Sequence, residues 1–136
     1  MGKVTASAKG YLLDTHVFLW WLFDAPELSS LARNTLADPS RRVLVSSASA
    51  WEIATKVRLG KLPEAKALAE DLQGWIERAG FGELPMSAAH AQRAGSWALA
   101  HRDPFDRMLA AQSEIEGLAL VSKDPALREF GIEIVW

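Results

Sequence analysis

The stretch Tyr11-Leu12-Leu13-Asp14-Thr15-His16-Val17-Phe18-Leu19-Trp20 decides how the chain folds. Three apolar residues stop at an acid. The segment that follows, Val17 to Phe23, carries more aromatic bulk than one strand face could hide, so it reads as a buried helix. A short strand running into a helix with a carboxylate at the join is the opening unit of an α/β fold. In an open α/β sheet the carboxyl ends of parallel strands meet in one crevice, where residues far apart in sequence converge.

Downstream the same alternation repeats. Ser29 or Ser30 caps a helix running to about Leu36, with Asp38-Pro39 as its stop. Val43-Leu44-Val45 is a β-branched strand leading into Ser46 and Ser47. Ser49-Ala50-Trp51-Glu52 has the spacing of a capping box, and its helix should reach Gly60. Glu64 to Ala79 has the apolar spacing of one amphipathic helix, Phe81 to Leu84 is a strand or extended link, and Ser87 to His101 reads as an Ala-rich helix. Asp103-Pro104 starts another, with Asp103 as cap and Pro104 at the first helical position. A strand over Leu118 to Val121, a short helix after Asp124-Pro125 and a strand from Ile132 to Val135 complete the chain. This order predicts a three-layer α/β/α domain around a central, mostly parallel sheet with right-handed crossovers. Residues 1–10 are small and polar and read as a flexible leader, leaving 11–136 as the domain.

Asp14, Glu52, Asp106 and Asp124 each fall just past a short apolar run or in the first turn of a helix. Gathered in one crevice, such carboxylates would raise one another's pKa, and a divalent cation would remove the conflict and bring Lewis-acid chemistry for phosphate esters. Each also has a plainer explanation. Asp14 and Asp124 could be helix caps. Glu52 could complete the capping box or pair with Lys56 four residues on. Since one acid suffices to cap the helix at Pro104, Asp103 takes that role and Asp106 is left as the better ligand. Trp51 reads as a core residue rather than a stacking platform, because Ile53 and Val57 share its helix. Lys56 and Arg107 are either phosphate-contacting groups or ordinary surface pairs.

Bulk composition narrows the classes. With 136 residues, 49% hydrophobic and 24% charged, the chain has the make-up of a single domain. No run approaches the roughly 18 apolar residues of a membrane span, and the first ten residues lack the apolar centre of a signal peptide, so a cytoplasmic location is expected. Zero cysteines exclude disulfides, thiol catalysis and thiolate zinc sites. His16, His90 and His101 have no metal-ligand spacing. No Gly-rich phosphate loop or nucleophile elbow is present. A net charge of −2 argues against bulk electrostatic binding of nucleic acid but not against catalysis on it, given the cations Lys56, Arg58, Lys61, Arg102 and Arg107 beside the acids. Substrate binding should be weak and salt-sensitive.

Four blocks together, Tyr11 to His16, SSASAWEIATK from Ser46 to Lys56, HRDPFDRMLAAQ from His101 to Gln112 and LVSKD from Leu120 to Asp124, resemble a PIN domain of the VapC-like toxin ribonucleases. The resemblance implies an acidic Mg²⁺ or Mn²⁺ site that hydrolyses RNA phosphodiester bonds. It puts the family's four acids on Asp14, Glu52, Asp106 and Asp124, gives Asp103 a supporting place, and matches Ser122, at the substrate rim, to a hydroxyl position where Thr is more usual. It further implies a homodimer silenced by a cognate antitoxin, with operator DNA contacted only through that antitoxin. The contrasting reading is a catalytically silent PIN-like interaction module in which the acids are caps.

Overall fold

The computed structural model describes residues 9–136. Most of the expected leader, residues 1–8, therefore lies outside the described residues. Lys9 and Gly10 are already tied to the domain: the Lys9 amide bonds the Gly117 carbonyl at 2.9 Å, and the Ala119 amide bonds the Gly10 carbonyl at 3.0 Å. Gly10 has φ +155°, and a Cβ there would meet the Arg42 carbonyl oxygen at 2.8 Å, so the backbones touch where only glycine fits.

In chain order the elements are β1 (Tyr11–Leu13), α1 (Thr15–Leu22), α2 (Ser30–Ala37), β2 (Val43–Ser46), α3 (Ser47–Arg58), a 3₁₀ turn (Pro63–Ala65), α4 (Lys66–Ala69), α5 (Leu72–Arg78), β3 (Gly82–Leu84), α6 (Ala88–Ser96), α7 (Pro104–Glu116), β4 (Ala119–Val121), a 3₁₀ helix (Pro125–Phe130) and β5 (Ile134–Val135). The five strands form one sheet in the order β3-β2-β1-β4-β5, every pairing parallel. Leu12 is matched to Leu44 on one side and to Leu120 on the other.

Alternation along these strands divides the core. Tyr11, Leu13, Val43, Val45, Ala119 and Val121 face one layer with Val17, Phe18, Ala32, Ile53 and Ile76, whereas Leu12, Leu44 and Leu120 face the other with Leu109, Leu127 and Phe130. Both faces of the central strands are thus buried, as parallel sheets require, and the three-layer α/β/α architecture is the one expected. No helix among the described residues is long and apolar enough to cross a membrane.

Local signals held where capping chemistry was explicit. Ser29 accepts from the Ala32 amide, Asp103 accepts from the Phe105 and Asp106 amides, and Gly117 closes α7 at φ +69°. Other expectations need correction. The helix expected from Glu64 to Ala79 breaks in two because the Asp71 carboxylate accepts from the Gly74 amide and starts α5 afresh. The helix expected from Ser87 to His101 stops at Ser96, for a reason that belongs to the site. The Ser49–Glu52 capping box does not form. β2 runs into α3 without a link, so Ser46 is the cap, its hydroxyl accepting from the Ala48 amide at 2.9 Å, and Ser49 and Glu52 lie inside the helix. Trp51, expected in the core, is 58% exposed: Ser49, Glu52 and Ile53 point inward and leave Trp51 on the opposite side of α3, edge-on to Phe105 at 5.0 Å.

Candidate active site

β2 and β3 continue the sheet to one side of β1, β4 and β5 to the other, so the direction of winding reverses between β1 and β4. Loops splay apart at such a point and leave a crevice beyond the strand ends. Asp14 follows β1 there, Ser122 and Asp124 follow β4, and α3 enters from β2 carrying Glu52.

Asp14 occupies the N-cap position of α1, yet its side chain makes no capping hydrogen bond. Its Oδ2 instead accepts the Ser122 hydroxyl at 2.7 Å, and the Ser122 oxygen in turn accepts the Asp124 amide at 3.1 Å. Burial pushes the Asp14 carboxyl up; the Ser122 bond and the nearby His16 oppose this, and the negative field of Glu52 adds to it. Ser122, expected at a substrate rim, is fully buried and acts as a strut between β4 and Asp14.

Glu52 is 5% exposed and pairs with Lys56 at 2.6 Å. Burial depresses the Lys56 ammonium, but the bond to Glu52 and the fields of Glu52, Asp103 and Asp106 outweigh it, leaving the group raised and cationic. Thr15 and Ser49, each beside this crevice, share a buried hydroxyl bond of 2.8 Å that ties the start of α1 to α3.

Asp106 lies in the first turn of α7, where Asp103 has already satisfied the free amides. Its Oδ2 is 3.0 Å from His101 Nε2. Burial raises its carboxyl to about 6, against the His101 bond, with the charges of Asp103 and Asp14 reinforcing the rise. Asp124 lies across a cavity of about 200 Å³ from Asp14, lined also by His16, Trp20 and Lys123. Its carboxylate accepts from the Ala126 amide at 2.9 Å and so does serve as a cap.

Arg107, the other expected rim cation, is committed elsewhere. Its guanidinium donates to the carbonyls of Ala94 (2.8 Å), Leu99 (3.1 Å), His101 (2.7 Å) and Trp97 (2.6 Å). Ala94 lies in the last turn of α6 and the other three belong to the segment just after it, so Arg107 holds the chain where that helix ends at Ser96. Sequence reading missed this clamp and the His101 contact; the only hint was their position five residues before and one after Asp106.

Three of the four expected acids thus share one electrostatic field without capping any helix. The fit to a divalent cation is one of chemistry: the donors are hard oxygens, and the buried Asp14 and half-buried Asp106 carboxyls are forced up partly by their like-charged neighbours, a conflict a cation relieves. In the conformation described, Ser122, Lys56 and His101 each hold one of these carboxylates, and no three acidic or histidine side chains among the described residues are arranged as a ready metal cage.

Comparison with known proteins bears on the family and the fold. The family model of the PIN domain matches residues 11–133. A Mycobacterium tuberculosis protein named Ribonuclease VapC16 is 40% identical over 58 residues, spanning 43% of this chain and 41% of that relative. Among solved structures, FitAcB from Neisseria gonorrhoeae has a TM-score of 0.67 at 21% identity, covering 93% of this chain and 96% of that one. VapBC2 from Rickettsia felis, bound to a fragment of promoter DNA, has a TM-score of 0.66 at 16% identity, covering 92% and 96%. DNA-bound VapBC from Salmonella typhimurium has 0.63 at 24% identity, covering 93% and 96%.

Proposed function

The chain belongs to the PIN domain family, and from that premise we propose that it is a metal-dependent endoribonuclease, a toxin that hydrolyses RNA phosphodiester bonds in the cytoplasm until a cognate antitoxin silences it. The observation that carries the reading is that Asp14, Glu52 and Asp106 lie at the switch point of a parallel sheet with their carboxylates free of capping duty. Simple helix finishing does not account for three buried or half-buried acids in one field.

Asp14, Glu52 and Asp106 would hold Mg²⁺ or Mn²⁺, with Asp124 across the cavity and Asp103 behind Asp106 in support. When bound, the cation supplies the Lewis acidity that lowers the pKa of an attacking water and offsets charge on the phosphate. Around it the chain positions and balances. Ser122 fixes the azimuth of Asp14. Asp103 secures the first turn of α7, so Asp106 is presented from a rigid helix. Lys56, its ammonium at the mouth of the crevice, neutralises Glu52 and is placed to turn toward a substrate phosphate.

The relative named a ribonuclease and the toxin–antitoxin assemblies among the structural neighbours support the RNA substrate and the antitoxin partner. Contact with operator DNA is then made through the antitoxin. The apolar face formed by the exposed Trp51 and Met86 with the half-buried Phe105 suits a protein partner, and a homodimer is the arrangement proposed for it. The same face is what favours the rival reading of a silent interaction module.

One assay separates the two. Purified protein should cut unstructured RNA in Mg²⁺ or Mn²⁺ and stop in EDTA, and Asp14→Asn should fold and be inert. Equal cutting by that variant refutes the assignment.

A further inference from the structure

We propose that His101 and Arg107 are a positioning pair that sets the direction of the Asp106 carboxylate, so that one oxygen is held from behind while the other faces the crevice. The inference rests on reading Asp106 as a cation ligand.

Residues 97–103 have no regular secondary structure, and their peptide carbonyls have lost the partners a helix would give them. Arg107 supplies those partners. Three of its bonds reach the carbonyls of Trp97, Leu99 and His101 and a fourth reaches Ala94 in the last turn of α6, so the segment is folded around a guanidinium that starts one residue from Asp106. A lysine could not do this, because a point ammonium lacks the planar fork.

What the clamp presents is the His101 ring. Its Nε2 lies 3.0 Å from Asp106 Oδ2; with Asp106 ionised, as a cation ligand must be, the carboxylate only accepts, and the contact then requires the tautomer with the proton on Nε2. The ring is fixed from a third direction by Phe130, edge-on at 5.4 Å and 67°, and the side chain is 13% exposed. Phe130 ends the 3₁₀ helix that Asp124 caps, so the strand-end loop carrying Asp124 also steadies this ring. Among the described residues Asp106 Oδ1 has no side-chain partner, which leaves that oxygen for the crevice. Outer hydrogen bonds of this sort orient metal-binding side chains in general, and losing one weakens metal affinity by about 10–100-fold.

The test needs no RNA. Mn²⁺ alone is titrated calorimetrically into the wild-type chain and into His101→Phe and His101→Gln, each checked for native circular dichroism. Phe keeps an aromatic ring against Phe130 without the donor; Gln keeps an N–H donor without the ring. The expected result is that Phe binds Mn²⁺ at least 10-fold more weakly and Gln stays within about 3-fold of wild type. Wild-type affinity in His101→Phe overturns the inference and leaves the nuclease reading intact. Weak binding by Gln with Phe near wild type also overturns it, since ring packing and not donation would then matter. No Mn²⁺ binding by the wild type removes the premise and the inference together.

Discussion

Asp106→Asn should make the metal-free protein more stable and abolish its activity. A carboxyl raised to about 6 from an ordinary 3.8 binds its proton more tightly folded than unfolded. Between those values the folded state therefore holds more protons, and stability falls as pH rises through the window. Roughly two pKa units at 1.36 kcal/mol each put the full cost at about 3 kcal/mol above pH ~7 and near zero below pH ~4. Asn removes the charge, and its amide oxygen can still accept from His101 Nε2, so little else is lost. The expectation is a gain of about 1–3 kcal/mol at pH 7.5 in EDTA, a rise in Tm on the order of 4–10 °C for a domain of this size. The gap should close on titration to pH 4. Saturating Mg²⁺ should raise the wild type and not the variant, narrowing or reversing the order. Thermal melts at several pH values, with and without Mg²⁺, test all three claims. A variant less stable than wild type at pH 7.5 in EDTA, or a difference that ignores pH, would show that like-charge crowding and burial do not govern this site.

Arg107→Lys keeps the charge but cannot span four carbonyls, and urea melts should show a loss of about 2–4 kcal/mol. Ser122→Ala takes the donor from Asp14 and the acceptor from the Asp124 amide; a stability loss of about 1–3 kcal/mol is expected, with the Asp14 carboxyl moving further up in an NMR titration because the bond that restrains it is gone. Trp51→Glu places a charge on the apolar face shared with Phe105 and Met86. It should shift sedimentation from a dimer toward the 14.9 kDa monomer without lowering the melting point by more than a degree or two.

How much of this could be read from the residues depended on range. β1 and its Asp14, the Asp103 and Asp124 caps and the glycine ending α7 are written within three or four neighbours, and these were legible. So was the assignment of the α7 cap to Asp103 and not Asp106, because two acids at one helix start cannot both be needed as its cap. Ser49 was misread because nothing local shows that a strand will pass into a helix without a link, which moves the cap to Ser46. Trp51 was misread because its facing is decided by which side of α3 meets the sheet. The end of α6 is set by Arg107, as many as 13 residues away, and the helical pattern beyond Ser96 is a pattern the guanidinium overrides. Strand order, and with it the crevice, lies wholly in long-range pairing.

That pairing has a consequence during synthesis. The bond between Ser122 and Asp14 joins positions 108 residues apart, and β4 must slot beside β1 before it exists. A growing chain that has not yet reached β4 has an exposed edge on β1 and no finished pocket. Whatever chemistry the pocket performs is therefore withheld from the ribosome making it until β4 has been synthesised and has paired with β1.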